Sequence, residues 1–312
     1  MRLTDEAGAV LPHLLASLER EGYDFVAPTP ATHARVVARP DKQVARDLRD
    51  IFGWSLPFAP DLLAPPLLGV LERAGVLRDA GEGRVRSAIR VSRLGARLFI
   101  HSAYPTEAED AVFFGPDSYR FVDFLRAELP RAAGVRRLVD LGAGAGVGGI
   151  MSAGLLPGAR LTLLDVNRQA LSIAGINARH AGVSVELLEG DGLDDVTGEI
   201  DCVIANPPFI MDDEGRAYRD GGDLHGAALS LDWSLASAAR LERGGRLLLY
   251  TGVAIVGGRD ALREALERRL PEHGCNLRYR EVDPDIFGEE LEKPAYADVE
   301  RIAAVTAVVE KG

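Results

Sequence analysis

The chain has 312 residues, of which 47% are hydrophobic, and a formal net charge of −11. This length is sufficient for one large α/β domain and a small one. No apolar stretch approaches the roughly 20 residues of a membrane-spanning helix, and acidic residues in the first turns argue against a secretory signal. With only two cysteines, Cys202 and Cys275, we expect a cytoplasmic protein without disulfides, a bound metal or membrane association.

The first third of the chain differs from the rest in its balance of basic and acidic residues. Residues 1–104 contain 14 Lys and Arg against 12 Asp and Glu, whereas the remaining residues contain 22 against 35. Helical patterns followed by a two-stranded ribbon are typical of a winged-helix arrangement, so we predict a small winged-helix-like domain over residues 1–104 that recognises the substrate or braces the rest. The predicted helices are Glu6–Glu21, Thr32–Ala38, Lys42–Phe52 and Asp61–Ala74, and the strands are Arg84–Val91 and Ala96–Ser102.

The predicted ribbon is rich in arginine and has no acidic residue among its basic ones. Such a ribbon can follow a phosphate backbone, or it can be an ordinary solvated strand face. The pattern leaves both interpretations open. The arginines are Arg84, Arg86, Arg90, Arg93 and Arg97.

From about residue 135, apolar runs alternate with helical patterns. This alternation predicts an α/β fold with a mostly parallel, seven-stranded, Rossmann-like sheet over residues 105–312, closed by an antiparallel last strand. The connector at residues 111–119 is expected to pack beside a cofactor pocket. The predicted strands are Arg137–Leu141, Leu161–Val166, Val185–Leu188, Cys202–Ala205, Leu247–Thr251, Leu277–Val282 and Ile302–Val309; the helices are Gly148–Leu155, Arg168–His180, Ala227–Leu241 and Arg259–Arg269.

A glycine-rich turn, Asp140-Leu-Gly142-Ala-Gly144-Ala-Gly146, follows the first of these strands and opens a helix. Glycines there let the backbone approach a ligand, and the helix N-terminus adds oriented N–H groups. NAD, FAD and S-adenosylmethionine enzymes all use such a turn. Asp165 ends the second strand, where it can accept hydrogen bonds from ribose hydroxyls, and Asp191 follows the third, where it can accept from an adenine amino group.

The motif Asn206-Pro207-Pro208-Phe209 directly follows the fourth strand. Two prolines fix φ and remove two N–H donors, so the turn is rigid. The Asn206 carboxamide and the Pro207 carbonyl can hold the two N–H bonds of a planar NH2 group, orient its nitrogen for in-line attack on a sulfonium methyl, and stabilise the charge that develops. Phe209 offers a flat face to a planar acceptor.

Together these segments resemble the class I S-adenosylmethionine-dependent methyltransferases, in the subgroup with an Asn-Pro-Pro-aromatic motif. The resemblance covers about Val112 to Val309. Gly115-Pro116-Asp117-Ser118 is similar to the Arg-Pro-Asp-Thr element of HemK-type enzymes, with Gly115 replacing the arginine and Ser118 the threonine. The resemblance implies that S-adenosylmethionine is converted to S-adenosylhomocysteine. It places Asp140, Gly142, Gly144 and Gly146 at the methionine part of the cofactor, Asp165 at the ribose and Asp191 at the adenine. It places Asn206, Pro207 and Phe209 at the methyl acceptor, with Asn206 also lying against the cofactor.

The resemblance leaves the acceptor open. The subgroup includes HemK-type glutamine methyltransferases of release factors and enzymes that methylate adenine or guanine amino groups in DNA and ribosomal RNA. We favour a protein glutamine amide, with a translation factor as partner, over RNA; a small-molecule acceptor and a non-enzymatic winged-helix regulator are further alternatives. Two polar segments are candidate substrate loops: Met211–Gly226, with Asp212, Asp213, Arg216, Arg219, Asp220 and His225, a candidate proton acceptor, and Asp283–Asp298, with Phe287 and Tyr296.

Overall fold

The N-terminal region, residues 3–104, is built from short helices and two antiparallel ribbons. The computed structural model describes residues 3–106, 108–131, 134–211 and 220–312. The first helix begins where the Thr4 side chain accepts a hydrogen bond from Ala7 N, and it buries Leu11, Leu14 and Leu18 at helical spacing. The elements are α1 Asp5–Arg20, α2 Pro30–Val37, α3 Leu48–Phe52, α4 Pro65–Arg73, β1 Leu77–Asp79, β2 Val85–Ser87, β3 Ile89–Leu94 and β4 Arg97–Ser102.

Three predictions in this region were wrong in extent. The helix predicted over Asp61–Ala74 begins only at Pro65, because Leu63, which follows a short 3-10 turn, has an extended backbone. The helix predicted over Lys42–Phe52 begins only at Leu48, because the Asp47 carboxylate accepts a hydrogen bond from Asp50 N and caps the helix there. The strand predicted over Arg84–Val91 divides into β2 and β3, because the Ser87 hydroxyl bonds the backbone of Ile89 and Ala88 N donates to Val76 O. The ribbon predicted from the sequence is the antiparallel hairpin β3–β4, and β1–β2 is a second, unpredicted one.

The remaining residues alternate strand and helix as predicted. The bounds of β5 and α7 match the prediction, whereas β9 is longer than predicted, because it pairs with β12 over ten residues from Arg246 to Ile255. The elements are α5 Pro116–Glu128, β5 Arg137–Leu141, α6 Val147–Ser152, β6 Arg160–Asp165, α7 Arg168–His180, β7 Glu186–Glu189, β8 Ile200–Ala205, α8 Ala228–Arg240, β9 Leu241–Val256, β10 Arg259–Asp260, α9 Ala261–Arg269, β11 Cys275–Asp283 and β12 Arg301–Lys311.

One sheet organises this part, with strand order β7-β6-β5-β8-β9-β12-β11 and the two-residue β10 beside β9. Strands β7 through β9 are parallel, and β12 runs antiparallel to both of its neighbours. The predicted Rossmann-like class is therefore confirmed. The chain leaves β5 towards β6 on one side and later returns to β8 on the other, and this change of direction opens a crevice at the carboxyl ends of the strands.

The N-terminal region shares a hydrophobic core with two helices, α6 and α7, that pack on the large sheet. One buried cluster contains Leu11 of α1 and Ile100 of β4 together with Ile150 of α6 and Ile173 of α7. The division of the chain at residue 104 stays a prediction. In the part of the chain that the structure describes, no helix combines the length and apolar character that a bilayer crossing requires.

The arginines of the ribbon do not form one solvated face. Arg90 is only 5% exposed, its Nε donates to Gly53 O at 3.0 Å, and its guanidinium lies over the Phe25 ring. Three of the others also make contacts within the chain: Arg84 pairs with Glu82, Arg93 with Asp24 and the Tyr23 carbonyl, and Arg97 donates to Ala181 O. Neither interpretation of the basic ribbon describes Arg90, Arg93 and Arg97, which hold the ribbon against its neighbours.

Candidate functional site

The predicted site residues meet in one cavity of about 300 Å³ at the carboxyl ends of β5, β6 and β8. This volume lies at the lower end of the range for ligand pockets. Gly146 is not among the lining residues; it lies behind the turn, with φ +76, as the residue before α6. The predicted residues that line the cavity are Asp140, Gly142, Gly144, Asp165, Asp191, Asn206, Pro207 and Phe209.

The glycine turn is fixed by its neighbours on both sides. Gly142 N and Ala143 N both donate to Leu164 O, at 2.9 and 3.0 Å, so the turn is held to the end of β6. Gly142 has φ +71, and a Cβ there would lie 2.5 Å from the indole of Trp233. Only glycine meets both conditions, the positive φ and the close approach of the ring.

Asp140 is a buried carboxyl group facing the cavity from the end of β5. It is 2% exposed, and its Oδ2 accepts a hydrogen bond from Gly149 N at 2.7 Å. Burial raises the pKa of Asp140 to about 7, with a smaller contribution from the nearby Asp165 charge, although the Gly149 N–H opposes the rise. A cation bound in the cavity would favour the ionised carboxylate.

Asp165 joins the glycine turn to the end of the second strand. Its Oδ2 accepts from Gly144 N and its Oδ1 from Asn167 N, both at 2.8 Å. Burial raises the pKa of Asp165, and both of these N–H groups oppose that rise. Each carboxylate oxygen can accept a second hydrogen bond, so the contacts leave room for the predicted bonds to ribose hydroxyls. Asp191 lines the cavity beyond β7 and is exposed.

Asn206 presents an unused acceptor at the end of β8. Its Oδ1 is buried and has no hydrogen-bond partner among the residues that the structure describes. A buried polar atom left without a partner costs about 1–3 kcal/mol, and such atoms in native proteins call for a functional explanation. Next to it, the ring of Phe209 rests on Gly252, where a Cβ would lie 2.3 Å from the ring, and it meets Phe287 edge-on with centroids 5.7 Å apart.

Comparison with known proteins assigns this arrangement to a family. The Methyltransferase small domain matches residues 120–250. A release factor glutamine methyltransferase of Bordetella pertussis is 32% identical over 203 residues, covering 62% of this chain and 72% of the relative. The chain belongs to the class I S-adenosylmethionine-dependent methyltransferases of HemK-like type. Membership in this family implies that the methyltransferase uses S-adenosylmethionine.

Other relatives of this methyltransferase match over shorter segments. A release factor glutamine methyltransferase of Deinococcus radiodurans is 30% identical over 158 residues, which cover 49% of this chain and 55% of the relative. A ribosomal RNA large subunit methyltransferase G of Streptomyces griseus is 41% identical over 90 residues, which cover 28% of this chain and 23% of the relative. The chain thus spans about half of the first of these relatives and a quarter of the second.

The connector of the methyltransferase lines the cavity, as the sequence predicts, and its Asp117 has a specific environment. Asp117 is buried, and its Oδ1 accepts hydrogen bonds from the Tyr250 hydroxyl at 2.7 Å and from Arg120 Nη1 at 3.2 Å. Burial raises the pKa of Asp117. Arg120 also pairs with Asp283 Oδ2 at 2.9 Å, and this contact joins the connector to the end of β11.

Several lining residues of the methyltransferase were missed or left undecided by the sequence. Pro30 comes from α2 of the N-terminal region, Trp233 and Leu229 from α8, and Phe113 from the connector. Phe287, which follows β11, has φ +53, a conformation that bulky residues rarely adopt. The glycine at position 142 was the one sequence signal for a large neighbour, but it does not identify Trp233.

The two candidate substrate loops meet beside Phe209. Asp212, Asp213, Arg216 and Arg219 lie outside the described residues. The described base of the first loop is closed by Gly221 N donating to Ile210 O, and the Tyr296 hydroxyl accepts from Met211 N, both at 2.8 Å. His225 is not among the residues that line the cavity; its Nε2 lies 3.0 Å from Asp298 Oδ1. Its predicted role as proton acceptor therefore has no support from its position.

Replacing Asp165 with Ala is expected to weaken S-adenosylmethionine binding by roughly 1–3 kcal/mol, as for a lost charge-assisted hydrogen bond. The physical reason is the loss of an acceptor for the ribose hydroxyls, together with loss of the Gly144 contact. Isothermal titration calorimetry measures the affinity. Asp194, an exposed carboxylate outside the cavity, provides the control D194A. An unchanged affinity of D165A would remove Asp165 from the site.

Proposed function

We propose that the methyltransferase transfers a methyl group to the NH2 nitrogen of a glutamine side chain in a protein. The observation that carries this proposal is the buried Oδ1 of Asn206 in the wall of the cavity, which no donor in the described part of the chain reaches. An acceptor atom without a donor suits a substrate that brings N–H bonds. A methyl acceptor with a hydroxyl or thiol group has one hydrogen to donate, through O–H or S–H. An amide NH2 has two, which can match the Asn206 carboxamide oxygen and the Pro207 carbonyl oxygen.

The cavity suits the cofactor as well. S-adenosylmethionine supplies, when bound, a methyl group activated on a sulfonium, and it carries positive charge that acidic side chains stabilise. We propose that Asp140 and the glycine turn hold the methionine part, Asp165 the ribose and Asp191 the adenine. The unused lone pairs of the Asp140 and Asp165 carboxylates support this assignment.

The chain's own residues would make a poor nucleophile reactive. The lone pair of an amide nitrogen is delocalised into the carbonyl group, so the nitrogen gains reactivity only as it becomes pyramidal. Asn206 and Pro207, in a turn fixed by two consecutive prolines, would hold both N–H bonds and stabilise positive charge as it develops on the nitrogen. The new bond from nitrogen to the methyl carbon would replace the bond from that carbon to sulfur, S-adenosylhomocysteine would leave, and one N–H proton would then pass to solvent. Phe209, held in place by Gly252 and Phe287, would orient the amide plane.

Two observations favour a protein over RNA as the acceptor. Arg90, Arg93 and Arg97 of the ribbon are engaged within the chain, and Arg90 is buried, so the five arginines do not form a continuous exposed cationic track of the kind that a phosphate backbone requires. Residues beyond 104 also carry a large excess of acidic groups. The similarity to release factor glutamine methyltransferases over 72% of one relative supports a translation factor as the partner.

The test is transfer of tritiated methyl from S-adenosylmethionine to a lysate of cells that lack this gene, divided into RNase-treated and protease-treated halves. We expect the label to survive RNase and to disappear with protease, and mass spectrometry of the labelled band to show methylglutamine. The N206A enzyme is the control for background transfer. Label that disappears with RNase would overturn the proposal and identify a nucleobase as the acceptor, in keeping with the ribosomal RNA methyltransferases among the relatives.

A further inference from the structure

One buried side chain connects the N-terminal region to the glycine turn. Asn177 lies on α7 and is 1% exposed. Its Oδ1 accepts a hydrogen bond from Ile100 N at 2.8 Å. Its Nδ2 donates to Ile100 O at 3.0 Å and to Ala145 O at 2.9 Å. A single carboxamide therefore bonds strand β4, through Ile100, and the turn before α6, through Ala145.

Through Ala145, this contact restrains the glycine turn itself. It lies between Gly144 and Gly146, and Gly142, Gly144 and Gly146 all have positive φ, at +71, +53 and +76. Glycine adopts these angles freely, but it also adopts many others. A turn with three such residues loses much conformational entropy when it is fixed. The Asn177 amide bonds the carbonyl of Ala145, between Gly144 and Gly146, and so restricts the backbone conformations of the turn before any ligand binds.

The other polar contacts of the N-terminal region with α7 end on the helix itself. Among the described residues, Arg97 Nη1 donates to Ala181 O at 2.7 Å, Leu3 N donates to Gln169 Oε1 at 3.1 Å, Arg179 Nη1 donates to Gly8 O at 3.0 Å, and His180 Nε2 lies 3.2 Å from Glu19 Oε1. These bonds attach the N-terminal region to α7. The bond from Asn177 to Ala145 continues the connection from that helix into the glycine turn.

We propose that Asn177 is a positioning residue, through which the N-terminal region holds the glycine turn in the conformation that binds S-adenosylmethionine. The inference rests on the proposed cofactor role of the glycine turn. Binding to a turn that is already ordered avoids the entropy of ordering it. Asn177 thus affects the affinity for the cofactor and not the chemistry at the acceptor, which occurs at the end of β8.

Calorimetry with the full-length N177A enzyme tests this role, and R97A is the matched control, because Arg97 bonds the same ribbon to the same helix without reaching the turn. We expect the Kd for S-adenosylmethionine, and the KM with it, to rise roughly tenfold in N177A, with kcat at saturating cofactor unchanged. R97A should lose thermal stability but keep its Kd. A Kd unchanged in folded N177A, or raised equally in R97A, would overturn the proposal.

A measurement on the wild-type enzyme keeps the proposal testable should N177A not fold. Because Ile100 N donates to Asn177, its amide exchange, followed by NMR, reports on the link. We expect S-adenosylmethionine to slow exchange at Ile100 and to leave the Arg93 amide, which donates to Phe25 O in the same ribbon, unchanged. No slowing at Ile100 contradicts the coupling. The Kd and the amide exchange are both measured without a methyl acceptor, so failure of the glutamine proposal would leave these two readouts intact.

Discussion

Replacing Asn206 with Ala is expected to lower kcat at least about a hundredfold, the effect of removing one polar group that stabilises developing charge. The same change should leave S-adenosylmethionine affinity nearly intact, because the carboxamide acts on the acceptor. It should also leave the folded state as stable as the wild type, or more stable by about 1 kcal/mol, since a buried acceptor without a partner disappears. Single-turnover methyl transfer, calorimetry and urea unfolding measure the three quantities.

The control for this variant is N276A, which removes an exposed asparagine from β11. It should match the wild type in all three measurements. Loss of cofactor binding and turnover together in N206A would mean that Asn206 shapes the turn and does not grip the acceptor. A large loss of stability would contradict the interpretation of its Oδ1 as an acceptor kept free for a substrate.

The affinity for S-adenosylmethionine is expected to rise with pH between about 6 and 7 in the wild type, and this dependence is expected to disappear in D140N. Burial places the pKa of Asp140 at about 7 in the unliganded enzyme. Below that pH, binding the cationic methionine part requires loss of the Asp140 proton, so affinity falls by up to about tenfold per pH unit. Calorimetry in buffers of different ionisation enthalpy measures the released proton. Equal pH dependence in D140N would assign the proton to another group.

D140N should also change the stability of the unliganded enzyme, in a direction that the pKa determines. Because the folded-state pKa of Asp140 is raised from 3.8 to about 7, the free energy of unfolding falls as pH rises through this interval. Above pH 7 the ionised, buried Asp140 lowers the free energy of unfolding by its full amount, on the order of 4 kcal/mol. Thermal melts at pH 8 should therefore show D140N as more stable than the wild type, although it binds the cofactor less tightly. A less stable D140N would contradict this account.

The sequence predicted the sheet well because local and tertiary preferences agree there. The strand Arg137–Leu141 is buried, and the helix Arg168–His180 begins where the Asn167 side chain accepts hydrogen bonds from two backbone N–H groups. Agreement was poorer in the N-terminal region. There, a capping carboxylate at Asp47 and a side-chain bond at Ser87 divided elements that the hydrophobic pattern read as continuous.

The site residues likewise divide into those that the sequence could predict and those that it could not. Asp140, Asp165 and Asn206 could be predicted because each lies at the carboxyl end of a strand in the sheet, and parallel strands bring their carboxyl ends to one edge. Trp233 and Asn177 could not, because both lie within helices whose patterns indicate only an apolar face. Their roles depend on which element packs against that face. The sequence left two interpretations of the arginine ribbon open, and neither describes Arg90, which faces inward against Gly53 and Phe25. A run of charges does not show which of its members are buried.

The contact between Phe209 and Gly252 couples two positions that are distant in the chain. A Cβ at residue 252 would lie 2.3 Å from the Phe209 ring, so a large aromatic residue at 209 and any side chain at 252 exclude one another. At Gly252, strand β9 lies beyond the last residue that pairs with β8 but is paired with Ala304 of β12, and this pairing resists the shift that would relieve the overlap. In the proposed arrangement, the backbone of β9 therefore limits the depth of the cavity at the end where the acceptor would bind. Engineering the enzyme for bulkier or slimmer acceptors would have to change these two residues as a pair.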